Sequence, residues 1–412
     1  MTFGSWLIPY RRRIYLDYAS APPVFPEAVR AMREAETLFG NPGAIHTEGV
    51  AAKKSLEHSR ERIALLFGCK ARELVFTSGL TDANNLAIVG AARALLRARR
   101  TLVDTHWLVS AIEHDSVLEC FAEVETLGGT VSVVEPNEKG IITPEAVGRL
   151  LRRETVFLSV GWANNEIGVV QPLSKIANVV RDHQVRHNTV ITFHSDAGQA
   201  PLYLPSVVHS LGVDLLSFGA NKLYGPHGIG ALYVGKNIAL AGVSLGGKQE
   251  RGLRAGTESV ALAAGFAAAF ERVARERDVE FKRLEKLRDE FAKKLQAKIP
   301  GLVVNGDLEE ALPHMLNVSI PSIQSEYVAL ALDAAGIAVS TKSACREGEE
   351  SRSHVVFALG DANEESSVAL AKGERSRNTL RFSLGRETSA GDLARVVEAL
   401  VRILQMHRGT HR

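Results

Sequence analysis

The sequence predicts an α/β protein with a large domain on a mostly parallel sheet, followed by a smaller α+β domain at the C-terminus. Three observations predict it. From about residue 70 to 235, short β-rich runs alternate with helical patterns, the order of a parallel sheet with crossover helices. From Ser259 to Ile299 the pattern turns long and helical, first alanine-rich and then densely charged. At 412 residues the chain exceeds what one simple core organises, which favours two domains.

The expected strands of the large domain are LVFT (74–77), WLVSAIE (107–113), TVFLSVGW (155–162), TVITFHS (189–195), DLLSF (214–218) and GALYV (230–234). Helical stretches such as ANNLAIVGAARALLRARR and SVLECFAEVETLG lie between them, with Asp115 and Ser116 as candidate caps of the second. The long helix leads into shorter segments, MLNVSI, YVALALDAAGIAVS and TLRFSL, and a terminal amphipathic helix, DLARVVEALVRILQMH. The expected division is 14–260 and 261–412, with residues 1–13 packing on the second domain. The polar stretch 347–378 predicts mobile loops around a short helix.

Hydrophobic residues at 45% and charged residues at 23% give an ordinary soluble balance. A formal net charge of +2 gives no reason to expect nucleic-acid binding or membrane adhesion. Arg11–Arg12–Arg13 precedes a strand-like IYLDY rather than an apolar segment, so it is no secretory leader. No run approaches the roughly 18 apolar residues of a membrane span, and a cytoplasmic protein is expected. Three widely spaced cysteines exclude a disulfide framework and any CxxC metal site. Cys69 and Cys120 sit in apolar settings and read as buried structural thiols. Cys345 sits in polar VSTKSACREGEESRS, where Lys342 and Arg346 favour an exposed thiolate.

Ligands of open α/β sheets gather at the carboxyl ends of the strands, and here those ends carry polar groups. LVF runs into Thr77-Ser78-Gly79-Leu80-Thr81 before a helix, an anion cradle or a plain cap. WLVSAIE ends at His114, which alone reads more readily as a satisfied structural histidine. VFLSVGW ends at Asn164-Asn165, VITFHS at Asp196 with Gln199 after it, and DLLSF at Gly219-Ala220-Asn221-Lys222 before a Gly/Pro-rich YGPHGIG. Singly, Asp196 could close a turn, Asn165 bridge loop backbone and Lys222 sit in solvent. Together they meet the needs of pyridoxal phosphate: an amine for its aldehyde, an anion site, a carboxylate for its ring nitrogen and an imidazole to stack on the ring.

Here the chain resembles the class V aminotransferase family, and most of all the NifS/IscS-like cysteine desulfurases of iron–sulfur assembly. The resemblance runs from IYLDYASAPP (14–23) and GNPGAIHTEG (40–49) through LVFTSGLTDANNLAI, ANNEIGVVQPL, SFGANKLYGPHGIGALYVG, GLRAGTES and SAC to RFSLGR (381–386). It implies the fold type I architecture of pyridoxal-phosphate-dependent transferases, whose large-domain sheet has seven strands. By position it implies Lys222 as the cofactor lysine and His114 as the stacking acid/base. Asp196 becomes the ring-nitrogen partner and Gln199 the contact of the ring hydroxyl. Leu80, Thr81 and Asn221 fall in the phosphate cradle, and Asn165 and Arg381 beside the substrate carboxylate. Thr257 matches a phosphate contact donated by the opposite subunit, which implies a homodimer, and Cys345 matches the persulfide-forming nucleophile on a long mobile loop.

The chain also departs from the family. Gly219-Ala220-Asn221-Lys222 replaces Ser-Gly-His-Lys, so a phosphate-binding hydroxyl and an imidazole are missing, though Asn221 can still donate one bond. TSGLTD replaces TSGATE-like sequence, Lys342 stands where glycine is customary, and the segment after ALG (358–360) is longer than usual. The implied reaction is L-cysteine to L-alanine, with sulfur passed to Cys345 for iron–sulfur clusters or another thio-cofactor through an acceptor or scaffold protein. The competing readings are a selenocysteine lyase, a decarboxylase or transaminase on the same fold, and a degenerate homologue acting as a scaffold.

Overall fold

The computed structural model describes residues 13–99, 101–321, 323–341, 352–359 and 375–410. Its strands are β1 (Ile14–Tyr15), β2 (Leu74–Thr77), β3 (His106–Ser110), β4 (Thr130–Val134), β5 (Thr155–Ser159), β6 (Thr192–Asp196), β7 (Leu215–Gly219), β8 (Gly230–Val234), β9 (Val303–Val304), β10 (Met315–Ser319), β11 (Ile337–Ala338) and β12 (Thr379–Ser383). Its helices are α1 (Pro26–Ala35), α2 (Thr47–Phe67), α3 (Leu80–Arg99), α4 (Asp115–Thr126), α5 (Pro144–Leu150), α6 (Leu173–His187), α7 (Val208–Leu211), α8 (Val260–Lys298), α9 (Ser325–Ala334), α10 (His354–Ala358) and α11 (Ala390–Thr410).

The large sheet has seven strands in the order β2-β8-β7-β6-β5-β3-β4. It is parallel from β7 to β4, and β8 runs antiparallel to both of its neighbours. Helices cover both faces, which is why strands such as LVFT and LLSFG read as unbroken apolar runs. On one face α3 and α4 pack Ile88, Val117 and Phe121 against Val109 and Phe157. On the other, Phe67 of α2 lies between Phe218 and Phe270, at 4.2 and 4.9 Å between ring centroids.

The small domain holds an antiparallel sheet, β12-β10-β9. β1 pairs in parallel with β11, tying the start of the described chain to that domain. The expected division at 260 falls at the first residue of α8. That helix buries Val260–Val273 positions against the large domain and Leu284, Phe291 and Leu295 further along. Ser259 caps it, its hydroxyl accepting from the Leu262 amide at 3.3 Å.

Three readings of the secondary structure need correction. β4 was absent from the expected strands; it is the edge strand, and TVSVV leaves four of five positions partly or fully exposed, so no apolar run marks it. Neither Asp115 nor Ser116 caps α4. His114 does, with extended backbone (φ −67°, ψ 149°) and a side-chain nitrogen accepting from the Ser116 amide. Expected strand ends at 113, 162 and 195 shift to Ser110, Ser159 and Asp196, because the residues beyond the first two turn into the loops that line the site.

Candidate active site

The carboxyl ends of β2, β3, β5, β6 and β7 open into one cavity of about 640 Å³. Leu80, Thr81, His114, Asn165, Asp196, Gln199, Asn221, Lys222 and Arg381 all line it. Thr257 is exposed and stands outside that lining. Cys345, Lys342 and Arg346, with residues 1–12 and most of 347–378, lie outside the described residues.

Lys222 lies in a 3-10 turn directly after β7, and its Nζ donates to the carbonyls of Ala19 (2.9 Å) and Ser20 (2.8 Å). The turn ends at Tyr224, whose left-handed backbone (φ 57°) lays its ring flat on Phe25, 4.5 Å between centroids. Gln199 Nε2 donates to the same Ala19 carbonyl at 2.9 Å. Asp196, the last residue of β6, accepts from Asn84 Nδ2 at 2.7 Å and from the Gly198 amide at 2.7 Å. Asn84 also donates to Ser116 Oγ, which lies 2.9 Å from His114 Nδ1, so Asp196 and His114 are linked through two side chains. Arg381 crosses from the small domain. Its Nη1 donates to the Asn165 carbonyl (2.9 Å) and its Nη2 to Asp17 (2.9 Å) and Ser20 Oγ (2.8 Å), while its buried Nε has no partner among the described residues.

The expected cradle lies in the turn from β2 into α3. Ser78 donates through its amide and hydroxyl to Asp82 (2.9 Å each), and Gly79 takes φ 153°, a conformation open to glycine. A side chain at Gly230 would meet the Gly79 carbonyl carbon at 2.6 Å, so β8 approaches this turn as only glycine permits. The first amides of α3 have no acceptor within the helix and can take an anion. Gly219 and Asn221 behave as one change. A Cβ at 219 would lie 2.8 Å from Asn221 Oδ1 and 3.1 Å from Leu80 Cβ, so the glycine leaves room for the asparagine amide beside this turn.

Sequence reasoning missed four contributors. Ala19 and Ser20 come from the N-terminal segment, and Asn84 carries a signal, a fully buried polar residue in an apolar helix. Glu113 lines the cavity and accepts from the Gly161 amide at 2.6 Å. Burial pushes its carboxyl up to about 8, and the nearby charge of Asp196 adds to this. The folded state therefore holds a proton that the unfolded chain releases above its ordinary value of 4.5. Stability falls as pH rises from there to about 8, by up to about 1.4 kcal/mol per pH unit. Glu113→Gln should flatten denaturation midpoints measured between pH 5.5 and 8.5; wild-type and variant curves that stay parallel would refute this.

The donor set fits pyridoxal phosphate: an amine, a carboxylate, an imidazole and an open helix N-terminus around one cavity. Gln199 Oε1 is buried without a partner among the described residues, a spare polar atom suited to a ring hydroxyl. Residues 14–396 match the sequence profile described as Aminotransferase class-V. The chain belongs to this family. Family membership brings pyridoxal-phosphate-dependent chemistry. The chain is 37% identical over 399 residues to the cysteine desulfurase IscS of Dictyoglomus turgidum, covering 97% of this chain and 96% of the relative. Among solved structures it is similar to a NifS-like protein (TM-score 0.84, 29% identity, 96% and 100% of the two chains). It is also similar to SspA in complex with cysteine (TM-score 0.75, 31% identity, 90% and 98%). Among the described residues no helix is long and apolar enough to cross a membrane.

Proposed function

We propose that the protein is a cytoplasmic, homodimeric cysteine desulfurase that converts L-cysteine to L-alanine and passes the sulfur to Cys345. The observation that carries this is the convergence of Lys222, Asp196, His114 and Gln199, from three separate strand ends, on one cavity that Arg381 closes from the small domain. Its similarity to SspA in complex with cysteine supports the substrate.

Lys222, Asp196, Gln199 and His114 would hold pyridoxal phosphate, with its phosphate at Leu80, Thr81 and Asn221. When bound, the cofactor supplies an electron sink that acidifies the substrate α-carbon. Asp196 would set its carboxylate against the ring nitrogen, an opposite charge that favours the protonated ring. Arg381 and Asn165 orient the substrate carboxylate, the Arg381 fork suiting a planar bidentate partner. The Lys222 amine and His114 imidazole carry the protons taken from and returned to the substrate. The Cys345 thiolate attacks the substrate sulfur. A sulfur–sulfur bond forms, the substrate carbon–sulfur bond breaks, and alanine leaves Cys345 as a persulfide ready for an acceptor or scaffold protein.

Purified protein, yellow from bound cofactor, should release alanine and, under a thiol reductant, sulfide in equal amounts from L-cysteine. Turnover of selenocysteine alone would favour a lyase, and a colourless protein that cannot be reconstituted would favour a scaffold.

A further inference from the structure

Away from the cavity, Arg60 of α2 and Glu250 form a buried ion pair, their side chains 8% and 2% exposed. It is bidentate: Nη1 to Oε2 at 2.7 Å and Nη2 to Oε1 at 2.6 Å. The pair lies along the free edge of the large sheet. Among the described residues β2 pairs only with β8, so its outer backbone groups need other partners. Arg60 Nη1 donates to the Leu74 carbonyl (3.2 Å), and Glu250 Oε2 accepts from the Phe76 amide (2.9 Å). One cation and one anion thus stand in for the next strand, and the guanidinium also covers the Phe76 ring at 4.5 Å.

The glutamate comes from a strained segment. Glu250 (φ 45°) and Arg251 (φ 62°) are consecutive non-glycine residues in the left-handed region, followed by Gly252 (φ 79°). Such a run persists only where surroundings over-determine it. Here they do: the ion pair seats Glu250, and Arg251 donates to the Arg72 carbonyl. The segment closes further on, where the Gly256 amide donates to Gln249 Oε1 at 3.3 Å. Thr257 follows at once and is exposed.

We propose that the Arg60–Glu250 pair is a positioning clamp that fixes the 244–257 segment so that Thr257 reaches the cofactor phosphate of a second copy of this chain. The proposal rests on the cofactor and homodimer of the proposed function.

Two tagged heterodimers test this, each with one Lys222→Ala subunit and therefore one lysine able to hold the cofactor. In the first, Glu250→Gln is on the Lys222→Ala subunit, so the segment facing the loaded site is impaired. In the second it is on the loaded subunit. Cofactor remaining during dialysis is fixed to Lys222 with borohydride and counted by mass spectrometry. The first should lose cofactor on the order of tenfold faster than wild type, the worth of one charge-assisted hydrogen bond, and the second at the wild-type rate. Thr257→Ala in the first arrangement should reproduce that loss, and adding Glu250→Gln to it should change nothing further. Faster loss in the second arrangement, equal rates in both, or additive losses would overturn the clamp. A monomeric wild type, or one with no adduct on Lys222, would remove the proposed function itself and the clamp with it.

Discussion

Lys222→Ala should purify without a cofactor that borohydride can fix to the chain, and its turnover of L-cysteine should fall by 10³-fold or more, on the order of what a positioned acid–base group contributes. The geometry makes this lysine hard to replace. Its amine is aimed across the cavity by the Ala19 and Ser20 carbonyls, and its turn is pinned where the Phe25 amide donates to the Tyr224 carbonyl at 2.9 Å. Those carbonyls come from the same segment that accepts from Gln199 and Arg381, so the amine sits between the groups read as holding the ring and the substrate carboxylate. Peptide mapping of the reduced wild-type protein checks the assignment directly. A pyridoxyl adduct on any other lysine would show that the wrong residue was chosen.

The large domain was legible because a sheet covered on both faces writes itself as apolar runs, and all six expected strands begin and end within about three residues of β2, β3, β5, β6, β7 and β8. The runs also point to the site, since Lys222, Asp196 and His114 each follow one of them. β4 was not legible, because an edge strand with Ser132 and Thr130 on it shows no such run. Nor was the role of the N-terminal segment. Ala19 and Ser20 act through backbone carbonyls and one hydroxyl about 200 residues from Lys222 in sequence, and a carbonyl leaves no mark on residue type. The Arg60–Glu250 pair was hidden for a related reason: charged residues on helices and loops usually face water, and only the fold brings this one to a bare sheet edge.

Cys345→Ser should bind L-cysteine as wild type does and release no sulfide, whereas Cys69→Ser and Cys120→Ser should keep wild-type activity. The contrast rests on thiol chemistry. Only a thiolate attacks sulfur, and burial pushes the thiols of Cys69 and Cys120 up to about 12. Cys69 is partly buried rather than fully buried as its apolar neighbours suggested, and desolvation still pushes its thiol up. Cys120 is buried, and its Sγ donates to the Ser116 carbonyl at 3.1 Å within α4, a satisfied thiol on the far side of a helix turn from the cavity-lining Ser116. Neither lines the cavity. In sequence Cys345 stands between Lys342 and Arg346, two cations expected to favour the thiolate. Serine there keeps the size and polarity of the side chain and removes only the sulfur nucleophile, so binding and sulfur transfer should separate. Alanine and sulfide formed by the Cys345→Ser protein at the wild-type rate would mean that no protein thiol takes the sulfur, and a lyase reaction would then replace the persulfide mechanism.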